Sequence, residues 1–192
     1  GSQKVFLEKY LDRAKHIEFQ IFGDSTGEVQ HLFDRECSVQ RRHQKIIEEA
    51  SSPSLSDELR KKMGEAAVAI ARLARYQSAG TVEFLLQDGK FYLLEVNTRL
   101  QVEHPVTEEI LGVDLVKMQI LTAMGKFIFS RDDIRIPRGH SIECRVYAEN
   151  SYLNGVPSTG KLGTVSWPEG PRRRFEYGFE KGDTITSFYD PM

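Results

Sequence analysis

The sequence predicts an α+β fold in which short strands form a sheet and two helices pack against that sheet. Aromatic and β-branched segments separated by turn residues fill the opening third, whereas helical spacing of apolar residues recurs in only two later stretches. With 192 residues, the chain can bury the core of one ordinary domain and form part of another. A large multi-domain enzyme would have to continue beyond it.

The first strands are predicted from composition and partial alternation. Residues 4–10, 16–23 and 28–34 are short runs rich in aromatic and β-branched side chains, and a glycine-containing turn at 24–27 separates the last two. We therefore expect three strands before residue 35.

The first helix is predicted after a Ser/Pro-rich loop at 51–56. Ser54 and Asp57, three residues apart, resemble a capping box at the start of a helix that runs to about Tyr76. One apolar stripe is expected to face the sheet, and it comprises Met63, Ala66, Ala67, Ile70 and Leu73.

A hairpin and a second helix follow. Residues 81–86 and 91–96 are predicted to pair around a turn at Asp88-Gly89, and a helix from about Val113 to Met124 should end near Gly125.

Beyond residue 134 the helical character is lost, because proline and glycine recur between short strand-like runs. We place a domain boundary near Pro137. The expected strand-like runs are residues 141–149, 163–167 and 173–177.

Bulk charge excludes some partners. The 26 basic residues nearly balance the 28 acidic ones, so no global attraction to nucleic acid or anionic lipid is expected. No apolar run has the length of a membrane span. Cys37 and Cys144 lack metal-ligand spacing, which favours free thiols in a reducing compartment.

The two termini also carry expectations. Residues 1–2 are interpreted as a cloning remnant, and the sequence ends at 188–192 without a helix cap or polar tail. We therefore expect a chain cut inside a domain.

A polar face is predicted in the segment that follows the hairpin. Positions two apart are polar, namely Glu95, Asn97, Arg99, Gln101 and Glu103, and the positions between them include the apolar Leu94, Val96, Leu100 and Val102. A solvated strand face alternates in the same way, so periodicity alone leaves both interpretations open. The chemistry favours a site: a carboxylate beside an amide suits a hard divalent cation, and an arginine fork suits bicarbonate or a carboxylate.

Glu83 is a candidate second metal ligand, provided that it shares a face with Glu95. A two-residue Asp88-Gly89 turn would pair Val82 with Glu95 and separate the two carboxylates unless a bulge intervened. We predict a three-residue turn with Gly89 in the left-handed conformation, because it brings Glu83 and Glu95 together.

The basic run at residues 40–45 has three interpretations. It can be a solvated loop or a nucleic-acid contact, although the chain lacks the net basicity and interleaved aromatics that the second requires. Phosphate binding is the third, and polarity alone does not choose among them.

Long ordered strings in the chain closely resemble the biotin carboxylase family. They are E-K-Y-L (8–11), H-I-E-F-Q (16–20), D-R-E-C-S-V-Q-R-R-H-Q-K (34–45), E-V-N-T-R-L-Q-V-E-H-P-V-T-E (95–108) and R-G-H-S-I-E-C-R (138–145). The visible departure is Val96, where the family more often has methionine. The resemblance implies a partial ATP-grasp domain at 3–137, formed by an antiparallel sheet with packed helices, and the first strands of the biotin carboxylase C-terminal domain at 138–192.

The resemblance also implies residue roles. ATP would be bound by Glu8, Lys9 and Leu11 at adenine, His16 and Gln40 at ribose, and His43, Glu83 and Glu95 at the phosphates. Magnesium or manganese would be held by Glu83, Glu95 and Asn97. Bicarbonate would be bound by Lys45, Arg99, Gln101, the backbone of Val102, and Glu103. The implied catalytic residues are Lys45, Arg99, Glu103 as the base, and Arg145, which would stabilise enolate-like biotin unless it forms a structural ion pair.

The implied reaction is ATP-dependent activation of bicarbonate to carboxyphosphate, followed by carboxylation of biotin on a carrier. The implied partners are a biotin carboxyl carrier protein or domain, a second copy of the enzyme and a carboxyltransferase subunit, in the cytoplasm or, in eukaryotes, the mitochondrial matrix. The sequence of residues 22–48 is slightly more similar to propionyl- or methylcrotonyl-CoA carboxylases than to acetyl-CoA carboxylase.

The glycine-rich lid and upstream lysines of the family lie outside the chain, so we expect the 192-residue piece alone to be inactive. Two alternatives stay open. One is another ATP-grasp ligase of carbamoyl-phosphate or purine-pathway type, and Lys45 and Arg145 would distinguish a biotin carboxylase from such a ligase. The other is a non-catalytic scaffold through which subunits associate.

Overall fold

A computed structural model describes residues 3–127, 129 and 136–188, which belong to two compact units divided between Cys144 and Arg145. The first unit contains strands β1 (Lys15–Gly23), β2 (Val29–Arg41), β3 (Gln44–Ala50), β4 (Ser78–Gln87), β5 (Lys90–Asn97) and β6 (Ser141–Cys144), and helices α1 (Asp57–Leu73), α2 (His104–Leu111) and α3 (Leu115–Ala123). The strands form one antiparallel sheet in the order β5-β4-β1-β2-β3-β6. The predicted α+β class is confirmed.

Side-chain alternation along β1 determines what each face of the sheet contacts. Ile17, Phe19 and Ile21 are fully buried in a core cluster that includes residues of α1, whereas Phe22 belongs to a second cluster that includes residues of α2 and α3. Positions two apart share a face, so Glu18 and Gln20 lie on the same face as Phe22. Both are fully buried polar residues, and this face carries the candidate site.

The predicted strand at residues 4–10 is wrong. This segment has no regular secondary structure, and Val5, Phe6 and Leu7 are 91%, 81% and 100% exposed. Strand propensity is expressed when a side chain packs on a half-buried, pleated surface, and these side chains have none within the described chain.

The position of the first helix was predicted, but its cap was not. Ser56, rather than Ser54, is the N-cap, and its side chain accepts a hydrogen bond from the Leu59 amide. The helix ends at Leu73 because the chain adopts a positive φ of 50° at Arg75. Met63 and Ala67 of the predicted stripe are buried and Ala66 and Ile70 pack against them, whereas Leu73 is 89% exposed.

Helix α2 was not predicted, because residues 95–103 were interpreted as one extended face. The chain leaves the extended conformation after Asn97, and α2 has Pro105 in its first turn and Gly112 in the left-handed conformation at its C-cap. Proline near the start and glycine just past the end are typical helix signals. They were overlooked because the polar alternation of residues 95–103 was interpreted as a strand. The predicted second helix is confirmed as α3, which ends before Met124 and a left-handed Gly125.

In the second unit, the described residues up to 188 form four two-residue strands and a short 3-10 turn at Ser151–Leu153. Strand β7 (Glu149–Asn150) pairs with β8 (Val156–Pro157), and β9 (Gly160–Lys161) pairs with β10 (Thr184–Ile185).

Two of the strand-like runs predicted after residue 134 form no strand, namely 163–167 and 173–177, and only residues 141–144 and 149 of the run 141–149 lie in strands. The aromatic side chains of the first two runs pack on one another instead: the Trp167 ring stacks with Phe175 and Tyr177, at centroid distances of 5.2 and 5.3 Å. The domain limits 3–137 and 138–192 stay a prediction.

The two cysteines and the helices were also the subject of predictions, on free thiols and on membrane spans. Cys37 is a buried free thiol and Cys144 an exposed one. Among the described residues, no helix combines the length and apolar character needed to cross a bilayer.

Glu36 is a buried carboxylate that ties β2 to the loop before α1. It accepts hydrogen bonds from Ser52 Oγ (2.6 Å), Ser54 Oγ (2.6 Å), Ser38 Oγ (3.0 Å) and Lys15 Nζ (3.2 Å). Burial alone would raise the pKa of Glu36, but these hydrogen bonds outweigh it and lower that pKa.

A depressed pKa in the folded protein means that ionised Glu36 stabilises the fold above the unfolded pKa of about 4.3, and that this contribution is lost as the pH falls through the folded pKa. We expect Glu36→Gln to lower the free energy of unfolding by about 1–3 kcal/mol at pH 7 and by less at pH 3.5. Urea unfolding at both pH values measures this. The control is Glu65→Gln, whose carboxylate lies 4.0 Å from Lys61 at the surface. An equal deficit of Glu36→Gln at both pH values would contradict the prediction.

Candidate active site

The β4–β5 hairpin places Glu83 directly opposite Glu95. Asp88 and Gly89 form a two-residue turn with φ of 52° and 71°, so the predicted three-residue turn is wrong. The register nevertheless agrees with the prediction, because it shifts by one residue farther along the strands.

The register shift is a β-bulge at Leu94. Phe84 pairs with Leu93, and Glu83 pairs with Glu95, which leaves Leu94 as the additional residue of β5. The bulge, rather than the turn, brings the two carboxylates together.

Asn97 bridges these carboxylates. Its Nδ2 donates to Glu83 Oε1 at 2.8 Å and to Glu95 Oε1 at 3.1 Å, so the amide group lies between the two side chains. Two carboxylates and an amide oxygen, which a turn of the Asn97 amide would supply, form the hard-oxygen donor set that magnesium prefers. The residues present fit a divalent cation.

The polar face predicted for residues 95–103 does not continue along one strand, because β5 ends at Asn97. Gln101 and Glu103 still enter the site, since the turn before α2 directs them inward, where they are 6% and 2% exposed. Arg99 lies at the surface, and its Nη1 donates to the Leu100 carbonyl at 3.2 Å. Strand parity cannot place residues once the backbone turns.

Lys45 lies at the centre of a buried acidic cluster. Its ammonium group donates to Glu18 Oε2 (2.6 Å), Glu103 Oε1 (2.7 Å) and Glu83 Oε1 (3.0 Å). Burial would lower the pKa of Lys45, but the charge of Glu18 and the other anionic neighbours raises it, so the side chain stays cationic.

Glu83 is ionised in the same cluster. Burial opposes its charge, but the hydrogen bond from His16 and the charge of Lys45 outweigh burial and lower the pKa of Glu83 to about 2. Glu83 Oε1 also accepts from Gln101 Nε2 at 2.7 Å. The Glu83 carboxylate therefore belongs both to the acidic cluster around Lys45 and to the candidate cation site.

His16 approaches Glu83 from β1, with Nε2 2.5 Å from Oε2. Gln40 fixes the tautomer: its Nε2 donates to the Cys37 carbonyl (2.8 Å) and lies 2.9 Å from His16 Nδ1. His16 Nδ1 is then the acceptor, and Nε2 carries the hydrogen that faces the carboxylate.

Two buried members of the cluster were missed in the sequence, Glu18 and Arg35. Both are fully buried, and Arg35 Nε donates to Glu18 Oε1 at 2.5 Å. Burial opposes both charges, but mutual attraction lowers the pKa of Glu18 and raises that of Arg35. The signal for Glu18 was a polar residue at every second position from His16 to Gln20 in the H-I-E-F-Q-I-F segment, which is otherwise apolar.

Two other ligand sets lie close enough for a metal ion among the described residues, His16–Glu18–Glu83 and Glu18–Cys37–Glu103. Lys45 Nζ is bonded to carboxylates of both sets, so a cation of the protein already balances them. Burial, and then the charge of Glu18, raise the pKa of Cys37 well above its usual range, which disfavours a thiolate ligand. Glu83, Glu95 and Asn97 therefore remain the better cation site.

The remaining predicted residues lie outside the buried cluster. Glu8 and Lys9 are exposed, Leu11 is half-buried, and Lys9 Nζ donates to the Tyr92 hydroxyl at 2.9 Å. His43 is exposed in the β2–β3 turn, where Arg42 and His43 both have positive φ.

Val102, whose backbone was assigned to bicarbonate, is 58% exposed. Arg145 belongs to the second unit.

Two family models match separate parts of the chain. Residues 1–129 match the family model of the carbamoyl-phosphate synthase L chain ATP-binding domain, and residues 143–192 match that of the biotin carboxylase C-terminal domain.

Curated relatives cover the whole chain. It is 53% identical to a pyruvate carboxylase subunit of Methanothermobacter thermautotrophicus and 50% identical to biotin carboxylase 2 of Bacillus subtilis, of which it covers 39% and 43%. It is also 51% identical to the alpha subunit of mitochondrial methylcrotonoyl-CoA carboxylase of Dictyostelium discoideum, of which it covers 28%. The chain thus spans less than half the length of these relatives.

Solved structures are similar over nearly all of the chain. One is the biotin carboxylase domain dimer of Hydrogenobacter thermophilus 2-oxoglutarate carboxylase in complex with MgADP, ADP and bicarbonate. It has a TM-score of 0.90 and 48% identity over 95% of this chain and 41% of that chain. Another is a biotin carboxylase–β-γ-ATP complex from Campylobacter jejuni, with a TM-score of 0.91 and 42% identity over 96% of this chain and 41% of that chain.

Proposed function

Because the chain belongs to the biotin carboxylases, we propose that it forms part of an enzyme that uses MgATP and bicarbonate to carboxylate biotin on a carrier protein. The observation that carries the proposal is the part-buried Lys45 ammonium, which donates to both Glu103 and Glu83 beside the Glu83–Glu95–Asn97 group. A cationic donor, a carboxylate base and a cation site thus adjoin one another.

In the proposed reaction, Glu103 accepts the bicarbonate proton as a bicarbonate oxygen attacks the γ-phosphate of ATP, which yields carboxyphosphate and ADP. Lys45 Nζ donates to Glu103 Oε1 at 2.7 Å and, with Gln101, offers donors to the anion. Arg99 can turn toward the anion, since its side chain is exposed and donates to the carbonyl of the adjacent Leu100.

Glu83, Glu95 and Asn97 would hold magnesium or manganese. The cation, when bound, would neutralise charge that develops on the phosphates of ATP. His16 supports this role because it fixes the second oxygen of Glu83.

The nucleotide contacts assigned to Glu8, Lys9, Leu11, His16, Gln40 and His43 remain part of the proposal. So does the role of Arg145 at enolate-like biotin, and so does the division into domains at 3–137 and 138–192. The match of residues 143–192 to the biotin carboxylase C-terminal domain favours this function over a carbamoyl-phosphate or purine-pathway ligase.

The names of the relatives support the proposed partners. The pyruvate carboxylase and methylcrotonoyl-CoA carboxylase relatives are named as subunits, and one similar structure is named as a dimer. We propose a biotin carboxyl carrier protein or domain, a second copy of the enzyme and a carboxyltransferase subunit as partners of the whole protein. The proposed compartment is the cytoplasm, or the mitochondrial matrix in a eukaryote.

Oxygen transfer tests the reaction. In the full-length enzyme that contains this chain, ¹⁸O-labelled bicarbonate should transfer label to phosphate when MgATP and biotin are present, because a bicarbonate oxygen attacks phosphorus. The 192-residue chain alone should show no bicarbonate-dependent hydrolysis of ATP. Hydrolysis by the full-length enzyme that is independent of bicarbonate, with unlabelled phosphate, would contradict the proposal.

A further inference from the structure

Arg35 lies beneath the proposed bicarbonate pocket and is fully buried on β2. Its guanidinium group contacts β1, β4, α2 and the turn before α2. Its acceptors are Glu18 Oε1 (2.5 Å), Gln20 Oε1 (2.8 Å), Thr107 Oγ1 (3.0 Å), Gln101 Oε1 (3.0 Å) and Thr81 Oγ1 (3.3 Å). Two of these acceptors, Glu18 and Gln101, contact the reacting part of the site.

The first consequence concerns the orientation of Gln101. Its Oε1 accepts from Arg35 Nη2, and its Nε2 donates to Glu83 Oε1 at 2.7 Å. A flipped amide would place its N–H groups against the guanidinium and its oxygen against the carboxylate, which loses both hydrogen bonds. Arg35 therefore determines which end of the Gln101 amide faces the pocket.

The second consequence concerns the position of the Lys45 ammonium. Glu18 is shared: Oε1 is held by Arg35 Nε, and Oε2 accepts from Lys45 Nζ at 2.6 Å. A lysine has a flexible four-carbon stem, so its charged end is placed by the groups that it contacts. A carboxylate that is fixed from behind by Arg35 restricts where the ammonium can lie.

We propose that Arg35 is a positioning residue for bicarbonate, which orients Gln101 directly and Lys45 through Glu18. The inference rests on the proposed function, since it assigns a role within that same pocket. Arg35 touches no substrate in this scheme. Its effect is the preorganisation of two donors that would otherwise sample several arrangements.

Arg35→Lys tests the proposal in the full-length enzyme, because a lysine keeps the charge but cannot supply a planar fork to five acceptors. We expect the KM for bicarbonate to rise about tenfold or more, while the KM for MgATP changes less than about threefold. The matched control is Arg60→Lys. Arg60 forms a similar fork to Asp34, Asp57 and the Ser52 carbonyl, away from the pocket residues, and this variant should leave both KM values unchanged.

Coupling to Gln101 separates positioning from general damage. If Arg35 acts through the Gln101 amide, Arg35→Lys should raise the KM for bicarbonate less in a Gln101→Ala background than in the wild type. Additive effects would mean that Arg35 does not act through Gln101 and would overturn that arm of the proposal.

A milder variant covers the case in which Arg35→Lys does not fold. Thr107→Val removes one acceptor of Arg35 and keeps the shape of the side chain, and the loss of one such hydrogen bond should raise the KM for bicarbonate about two- to tenfold. If neither variant changes the KM for bicarbonate selectively, the positioning role is wrong while the proposed function stands. If the wild-type enzyme itself shows no bicarbonate-dependent hydrolysis of ATP, both are wrong.

Discussion

Replacing Lys45 with methionine is expected to lower the free energy of unfolding by about 3–5 kcal/mol and, in the proposed full-length enzyme, to abolish bicarbonate-dependent hydrolysis of ATP. The Lys45 side chain is 13% exposed, and its ammonium contacts Glu18, Glu83 and Glu103, each at most 3% exposed. Removing this charge takes a shared cation away from three buried carboxylates, of which Glu18 keeps its ion pair with Arg35. Uncompensated buried charge is among the most costly changes in a protein.

The pH dependence of this loss follows from its cause. Without Lys45, repulsion and burial should raise the carboxylate pKa values of the folded variant above their unfolded values, so the variant gains protons on folding. Its deficit relative to the wild type should therefore be largest at pH 7 and should shrink toward pH 4. Wild-type Glu18 and Glu83 have lowered pKa values, which adds to the same trend.

Urea unfolding of the variant and the wild type between pH 4 and pH 7 measures both effects. The matched control is Lys15→Met, a lysine on the same sheet that is half-exposed and contacts Glu36, whose three serine donors remain. Its loss should stay within about 1 kcal/mol. Equal deficits for the two variants, or a Lys45→Met deficit that is constant with pH, would contradict the acidic-cluster interpretation.

The sequence predicted the elements of the fold that have a strong periodic signal. Strands β1, β2, β4 and β5 and helices α1 and α3 lie where alternation or helical spacing placed them. The segment at residues 4–10 was wrong because propensity does not reveal whether a packing surface exists.

The site was predicted less completely, for two physical reasons. The bulge at Leu94 determines whether Glu83 lies opposite Glu95. The local sequence L-L-E at 93–95 contains no residue type that predicts an extra residue in one strand. Glu18 and Arg35 form an ion pair across β1 and β2, and an interaction of residues 17 apart depends on strand pairing. Family resemblance supplied Lys45 and Glu103, whereas the cluster that joins them became visible only in three dimensions.

In the proposed full-length enzyme, Glu103→Gln is expected to reduce kcat for bicarbonate-dependent hydrolysis of ATP by about 10²- to 10⁴-fold, the usual contribution of a general base. An amide cannot accept the bicarbonate proton, but its oxygen can still accept from Lys45 Nζ, which lies 2.7 Å from Glu103 Oε1. The free energy of unfolding should therefore change by only about 1 kcal/mol. A large kinetic loss in a folded protein is the signature expected of a base.

Complementation by the full-length gene extends this test to the scaffold alternative. Glu109→Gln, on the exposed side of α2, serves as the control and should support growth that depends on the carboxylase, whereas Glu103→Gln should not. A scaffold that acts by holding subunits together would tolerate both substitutions, because each preserves the size of the side chain. Growth supported equally by the two variants would therefore exclude Glu103 as the base and favour a structural role for the lysine cluster.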